Sequence, residues 1–100
     1  MRRLTMGRHE ELRKEIDQID RELVQLVEKR MKVSTEIAEY KLANNIPVMD
    51  AQREKKVINK NISYLTDRTL DSYISEFSKH LMELSRRRQK ECLKQHTKTC

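Results

Sequence analysis

From Leu12 onward, apolar residues recur at alternating steps of three and four, through Leu12, Ile16, Ile19, Leu23, Leu26, Val33 and Ile37. That period places them on one face of an α-helix. Two positions of the same stripe are cationic: Arg30 falls between Leu26 and Val33, and Lys41 follows Ile37. A buried cation without a partner is costly, so the stripe predicts an anionic group opposite them. The first helix is expected from about His9 to about Asn44. Glu10, Glu11 and Glu15 at its start suit the positive end of the helix dipole. Asn44-Asn45-Ile46-Pro47 ends it, because Asn tolerates a left-handed cap and Pro47 cannot continue a helix. Residues 1–8 are expected to form a loose N-terminus, with Gly7 as the last breaker.

A second helix opens at Asp50, a good N-cap, with Ala51, Val57, Ile58, Ile62 and Leu65 on one face. Thr66-Asp67-Arg68-Thr69 reads as a short connection. A third helix follows from about Leu70, carrying Leu70, Tyr73, Ile74, Phe77, Leu81, Leu84 and Arg88 on its stripe. The fold class is therefore all-α, with three helices and a very long first one. Some 36 helical residues make a rod of roughly 54 Å. A compact globule of this length has a radius of gyration of only about 13 Å. Two shorter helices cannot cover such a rod, so the pattern predicts a homodimer with antiparallel or crossing long helices.

Composition agrees with one helical domain: 38% of the 100 residues are charged, with one Gly, one Pro and no Trp. No window approaches the roughly 18 consecutive apolar residues of a membrane span. Arg2 and Arg3 are not followed by the apolar run of a secretory signal. A soluble cytoplasmic protein is the expectation. The net charge of +6 is unevenly placed. Residues 86–100 hold six Lys/Arg against Glu91 alone, while the body is nearly balanced. The basic excess belongs to the C-terminal end, with residues 91–100 as a basic tail, which weakens a nucleic-acid reading from overall pI. Cys92 and Cys100, on a continuous helix, would stand about 12 Å apart along its axis, too far for a disulfide. Two reduced thiols are expected.

The candidate chemistry is cationic. Arg30, Ser34, Ile37 and Lys41 share one helix face. Arg30 and Lys41 are about 16 Å apart along the axis, so long side chains can reach toward one small molecule between them. Arg13 lies about 25 Å of helix from Arg30 and joins the same site only if a partner subunit supplies it. Asp50, Arg53 and Glu54 sit at a helix N-terminus, a donor-rich place. Ser85 and Gln89 are one turn apart on the third helix, and Gln89 offers a donor that stays neutral. Singly, each has a plainer explanation. Arg30 and Lys41 read as snorkelling cations or partners of Glu28 or Glu54. Asp50 reads as an N-cap, and Arg13, Arg53 and Glu54 as surface charges. Ser85 reads as a small packing residue and Gln89 as a solvated one. His9, His80 and His96 are scattered, and Cys92 with His96 lacks further ligands, so no metal set is expected. Neither a phosphate loop nor a nucleophilic set is present. A site here works through fixed positive charge and hydrogen bonds, without a cofactor.

The run Leu12-Arg13-Lys14-Glu15-Ile16-Asp17-Gln18-Ile19-Asp20 resembles the opening of the all-helical, type II chorismate mutases. Glu28-Lys29-Arg30, Lys41, Ile46-Pro47-Val48, Asp50, Arg53 and Glu54 follow with that family's spacing. Tyr73-Ile74, Ser85 and Gln89 complete a resemblance over roughly residues 9–90. It implies an intertwined homodimer of three-helix chains with two equivalent sites. It also implies roles. Arg30 and the partner subunit's Arg13 would hold the carboxylates of chorismate. Lys41 and Gln89 would donate to the ether oxygen of the breaking bond. Glu54 would accept from the ring hydroxyl with the Asp50 backbone nearby, and Arg53 and Ser85 would help at the ring carboxylate. The reaction so implied, chorismate to prephenate in phenylalanine and tyrosine biosynthesis, is an intramolecular rearrangement and needs neither metal nor cofactor. No stretch is left for a second catalytic domain, so a monofunctional enzyme is expected. Two alternatives stand beside it. One is an isochorismate-pyruvate lyase on the same fold. The other is a non-enzymatic basic dimer binding nucleic acid or an acidic partner through Arg86-Arg87-Arg88, although helix-turn-helix patterning and stacking aromatics are lacking.

Overall fold

The computed structural model describes the backbone of residues 2–95 and the side chains of residues 7–93. It contains α1 (Arg2–Ala43), α2 (Ala51–Ser63) and α3 (Asp71–Gln95), with a 3-10 turn over Arg68–Leu70 leading into α3. No strand occurs among the described residues, as the all-α reading requires. The chain divides into two compact units, one up to Met31 and one from Lys32 onward.

α1 reaches back to Arg2, beyond the expected start near His9, and passes through Gly7. A glycine inside a helix costs only about 1 kcal/mol relative to alanine. Here it takes no positive φ and has open space where a Cβ would be. Gly7 is therefore an ordinary helical residue, and the segment before His9 is helical from Arg2. At the other end the Asn-rich signal acts as expected. Asn45 adopts φ 56, the Ile46 amide donates to the Lys41 carbonyl at 2.8 Å, and the Asn45 amide to Leu42 at 3.4 Å. This pair of bonds is the Schellman arrangement, which satisfies the last carbonyls of a helix.

In the unit up to Met31, the apolar stripe is open. Leu12, Ile16, Ile19, Leu23 and Leu26 are 42–63% exposed. The unit from Lys32 has its core where α2 and α3 pack together. Asn61 Nδ2 donates to Ser78 Oγ across that contact at 3.0 Å. Ser78, Met82, Ser85 and Cys92 are buried on α3, as are Thr35 and Ala38 on α1. This corrects the expected α3 face. The most buried line runs one position later than the apolar one, through Ser78, Met82 and Ser85, while Ile74, Leu81 and Leu84 are half-buried beside it. Leu70, Tyr73 and Phe77 remain exposed.

Cys92 is 3% exposed and disulfide-bonded, against the expectation of a reduced thiol. The 12 Å separation presumed a helix continuing to Cys100, but α3 is described only to Gln95. Cys100, like His96 and Lys98, lies outside the described residues. Among the described residues no helix is long and apolar enough to cross a membrane.

Asp67 caps the 3-10 turn, accepting from the Thr69 hydroxyl at 2.6 Å and the Thr69 amide at 3.0 Å. The hydroxyl bond first, and the amide bond second, hold its carboxyl below the usual carboxylate value. A folded pKa below the unfolded one stabilises the fold at higher pH. The gain is lost as pH falls through the folded value. Asp67→Ala is expected to lower the thermal midpoint at neutral pH, and the gap from wild type should close well below pH 3.8, the ordinary value. Melting curves across pH check this, and a gap that widens in acid would contradict it.

Candidate active site

The site residues belong to the unit from Lys32 onward, except Arg13 and Arg30, which lie on α1 within the other unit. Arg13 is exposed, while Arg30 is half-buried and has an interaction of its own. Lys41 is half-buried in the last turn of α1. Its Nζ donates to the Val48 carbonyl at 3.4 Å. The stripe's prediction of an anionic group opposite Lys41 thus meets a neutral carbonyl, presented by the loop into α2. A carbonyl at that distance uses one ammonium hydrogen and leaves two to donate elsewhere.

The same loop ends in Asp50, whose extended backbone (φ −139, ψ 91) makes it the N-cap of α2. Its Oδ1 accepts from the Arg53 amide at 3.0 Å, and its carbonyl from the Glu54 amide at 3.1 Å. The carboxylate of Asp50 is thereby occupied as a cap, in keeping with its plainer explanation. Arg53 is exposed in the first turn, and Glu54 is half-buried beside it.

Glu54 pairs with Arg86 of α3. Arg86 Nη1 lies 2.5 Å from both Oε1 and Oε2. This ion pair was not anticipated. In sequence Arg86 opens the basic run 86–100, and Glu54 reads as a surface charge or a partner of Arg30 or Lys41. The available signal was helical phase, since Arg86 follows the packing residue Ser85 and lies one turn before Gln89.

Ser85 is 5% exposed and its Oγ donates to the Leu81 carbonyl at 3.0 Å, which fits a packing residue. Gln89 is half-buried, not solvated. Its Nε2 donates to Ser34 Oγ at 2.7 Å and to the Ser34 carbonyl at 2.9 Å. Both are neutral bonds within a partly buried contact.

These contacts form a closed circuit. Lys41 reaches the loop, the loop caps α2, Glu54 of α2 grips Arg86, and Gln89 of α3 returns to Ser34 on α1. Ser34 and Lys41 are seven residues apart on that helix, two turns or roughly 10 Å. Two neutral-to-cationic donors, the Gln89 amide and the Lys41 ammonium, are therefore anchored at either end of a stretch the size of a small molecule. Donors of this type suit an oxygen that gains negative charge once both turn toward it. Among the described residues no group of three His, Cys, Asp or Glu is placed to hold a metal ion.

Residues 12–90 match the family described as chorismate mutase type II. Among curated proteins, the bifunctional chorismate mutase/prephenate dehydratase of Buchnera aphidicola (subsp. Schizaphis graminum) is 38% identical over 82 residues, 81% of this chain but 21% of that protein. A protein of the same description from Aquifex aeolicus is 42% identical over 50 residues, half of this chain and 14% of that one. The chorismate mutase of Methanocaldococcus jannaschii is 31% identical over 64 residues, covering 64% of this chain and 65% of that one. The chain thus spans about a fifth or less of the bifunctional relatives. No solved structure matches it significantly.

Proposed function

The chain belongs to the type II chorismate mutase family, and from this premise we propose that it converts chorismate to prephenate at a site built on Arg30, Lys41, Glu54 and Gln89. The observation that carries the reading is the placement of Lys41 and Gln89. One donates to Val48 and the other to Ser34 in partly buried surroundings, so each can exchange a neutral oxygen for that of the substrate.

The substrate is a dianion whose rearrangement breaks a carbon–oxygen ether bond as a carbon–carbon bond forms in the same molecule. No nucleophile or proton donor is required. The first task is to hold the compact diaxial conformer, which is a matter of orientation and entropy. Arg30, with Arg13 from a second subunit, grips the carboxylates for this purpose, and Arg53 and Ser85 assist at the ring carboxylate. The second task is to stabilise negative charge growing on the ether oxygen. Lys41 donates one of its remaining hydrogens. Gln89 gives up one of its two bonds to Ser34 and turns that N–H to the substrate. Glu54 accepts from the ring hydroxyl beside the Asp50 backbone.

This site is composite. Arg13 completes it only from another copy, in an intertwined homodimer with two equivalent sites. The open stripe from Leu12 to Leu26 supports that reading, because contiguous apolar surface of this kind marks an interface.

The deciding experiment presents purified protein with chorismate or isochorismate and identifies the product. Prephenate from chorismate is expected. Pyruvate release from isochorismate would assign the lyase instead. Salt-sensitive DNA binding without turnover of either would assign the non-enzymatic reading.

A further inference from the structure

Resting on the mutase reading, we infer that Arg86 is a positioning residue for Glu54, anchoring its carboxylate between α2 and α3 and cancelling its charge toward an anionic substrate. Two observations carry this. Arg86 Nη1 meets both carboxylate oxygens at 2.5 Å, so the contact anchors the carboxylate as a whole and not one oxygen alone. The pair also joins residues 32 apart in sequence, on α2 and α3, with side chains only 26% and 36% exposed. Solvent screening is therefore incomplete for both groups.

Chemistry supplies the rest. A carboxylate has about four lone-pair sites, and Arg86 uses one on each oxygen. The remaining lone pairs point in the carboxylate plane and stay free to accept a hydroxyl. The ion pair with Arg86 places a full positive charge directly against Glu54. Without Arg86 it would turn more freely and present a net negative charge to a substrate that is itself doubly negative. Both penalties apply equally to bound substrate and transition state. Interactions of that kind set KM and leave kcat nearly unchanged.

The test compares wild type, Arg86→Ala, Arg86→Lys, Glu54→Gln and the Glu54→Gln/Arg86→Ala double variant by steady-state kinetics with chorismate. Circular dichroism accompanies each as a check of folding. Arg86→Ala is expected to raise KM about tenfold, the scale of one charge-assisted hydrogen bond, with kcat within a factor of about three of wild type. Arg86→Lys should recover part of the loss, since it restores the charge on a shorter, more flexible stem. In the Glu54→Gln background, removing Arg86 should change KM by less than about twofold, because the residue acts through Glu54. An unchanged KM in Arg86→Ala would overturn the inference, as would the same tenfold rise in the Glu54→Gln background. Should Arg86→Ala fail to fold, Arg86→Lys decides: an unaltered KM beside an intact fold overturns the proposal and an intermediate KM supports it. A wild-type protein inactive on chorismate would instead overturn the mutase reading itself, so the two failures are distinguishable.

Discussion

Lys41→Ala is expected to lower kcat by about 10²–10³, or about 3–4 kcal/mol in the transition state, while the helices stay intact. The magnitude follows from the role. Charge develops on the ether oxygen only as the bond breaks, so a donor aimed there acts on the barrier more than on binding. The fold should tolerate the change. In the free chain Lys41 makes a 3.4 Å bond to the Val48 carbonyl, too long to hold the loop alone, and the Ile46 amide on the Lys41 carbonyl closes the helix regardless of the side chain. Arg30→Ala is expected to be comparably damaging through the grip on a carboxylate. Loss of chorismate absorbance, with circular dichroism as control, measures both. Near-normal turnover in either variant would remove that residue from the site.

The second large effect concerns assembly. Wild-type protein at micromolar concentration is expected to sediment at twice the 12.1 kDa mass of one chain. Ile16 and Leu23, 55% and 43% exposed in a single chain, lie on the face proposed to be covered. Full burial of such a side chain contributes about 1.5–3 kcal/mol. Aspartate at both positions removes that gain and adds the desolvation of carboxylates, so Ile16→Asp/Leu23→Asp should abolish the dimer. Activity should fall with it, because the partner's Arg13 is then lost. A sharper measurement mixes two inactive variants, Arg13→Ala and Lys41→Ala, under conditions that exchange subunits. In a twofold dimer each mixed pair contains one fully intact site, so random exchange restores about a quarter of wild-type turnover. A folded wild-type monomer, or no recovery on mixing, would contradict a shared site.

Much of the chain was legible because its signals are local. The end of α1 follows from Asn44-Asn45-Ile46-Pro47, and the start of α2 from Asp50. Both are matters of backbone chemistry within four residues, and the structure realises them as a Schellman pair and an N-cap. The start of α1 was misplaced for the opposite reason. Gly7 weakens a helix by a fixed small amount, and the strong helix formers around it decide the outcome. The α3 stripe was also displaced. Hydrophobicity pointed to Ile74, Phe77, Leu81 and Leu84; three of these are half-buried, Phe77 is exposed, and the buried positions are the adjacent Ser78, Met82 and Ser85. A single chain buries small residues where helices approach, and Tyr73 and Phe77 stay exposed.

Sequence alone therefore determined the helices, their capped ends and the inventory of charged and amide groups, since these rest on interactions within about one helical turn. It also carried the family resemblance from Leu12 to Gln89, which the match over residues 12–90 supports. Tertiary structure decided which of those groups meet. Glu54 and Arg86 are separated by 32 residues, and Ser34 and Gln89 by 55. No periodicity encodes such pairings, because the return of α3 past α2 and α1 sets them. That return turned Arg86 from one more charge of a basic tail into the partner of Glu54, and Gln89 from a solvated amide into a donor held against Ser34.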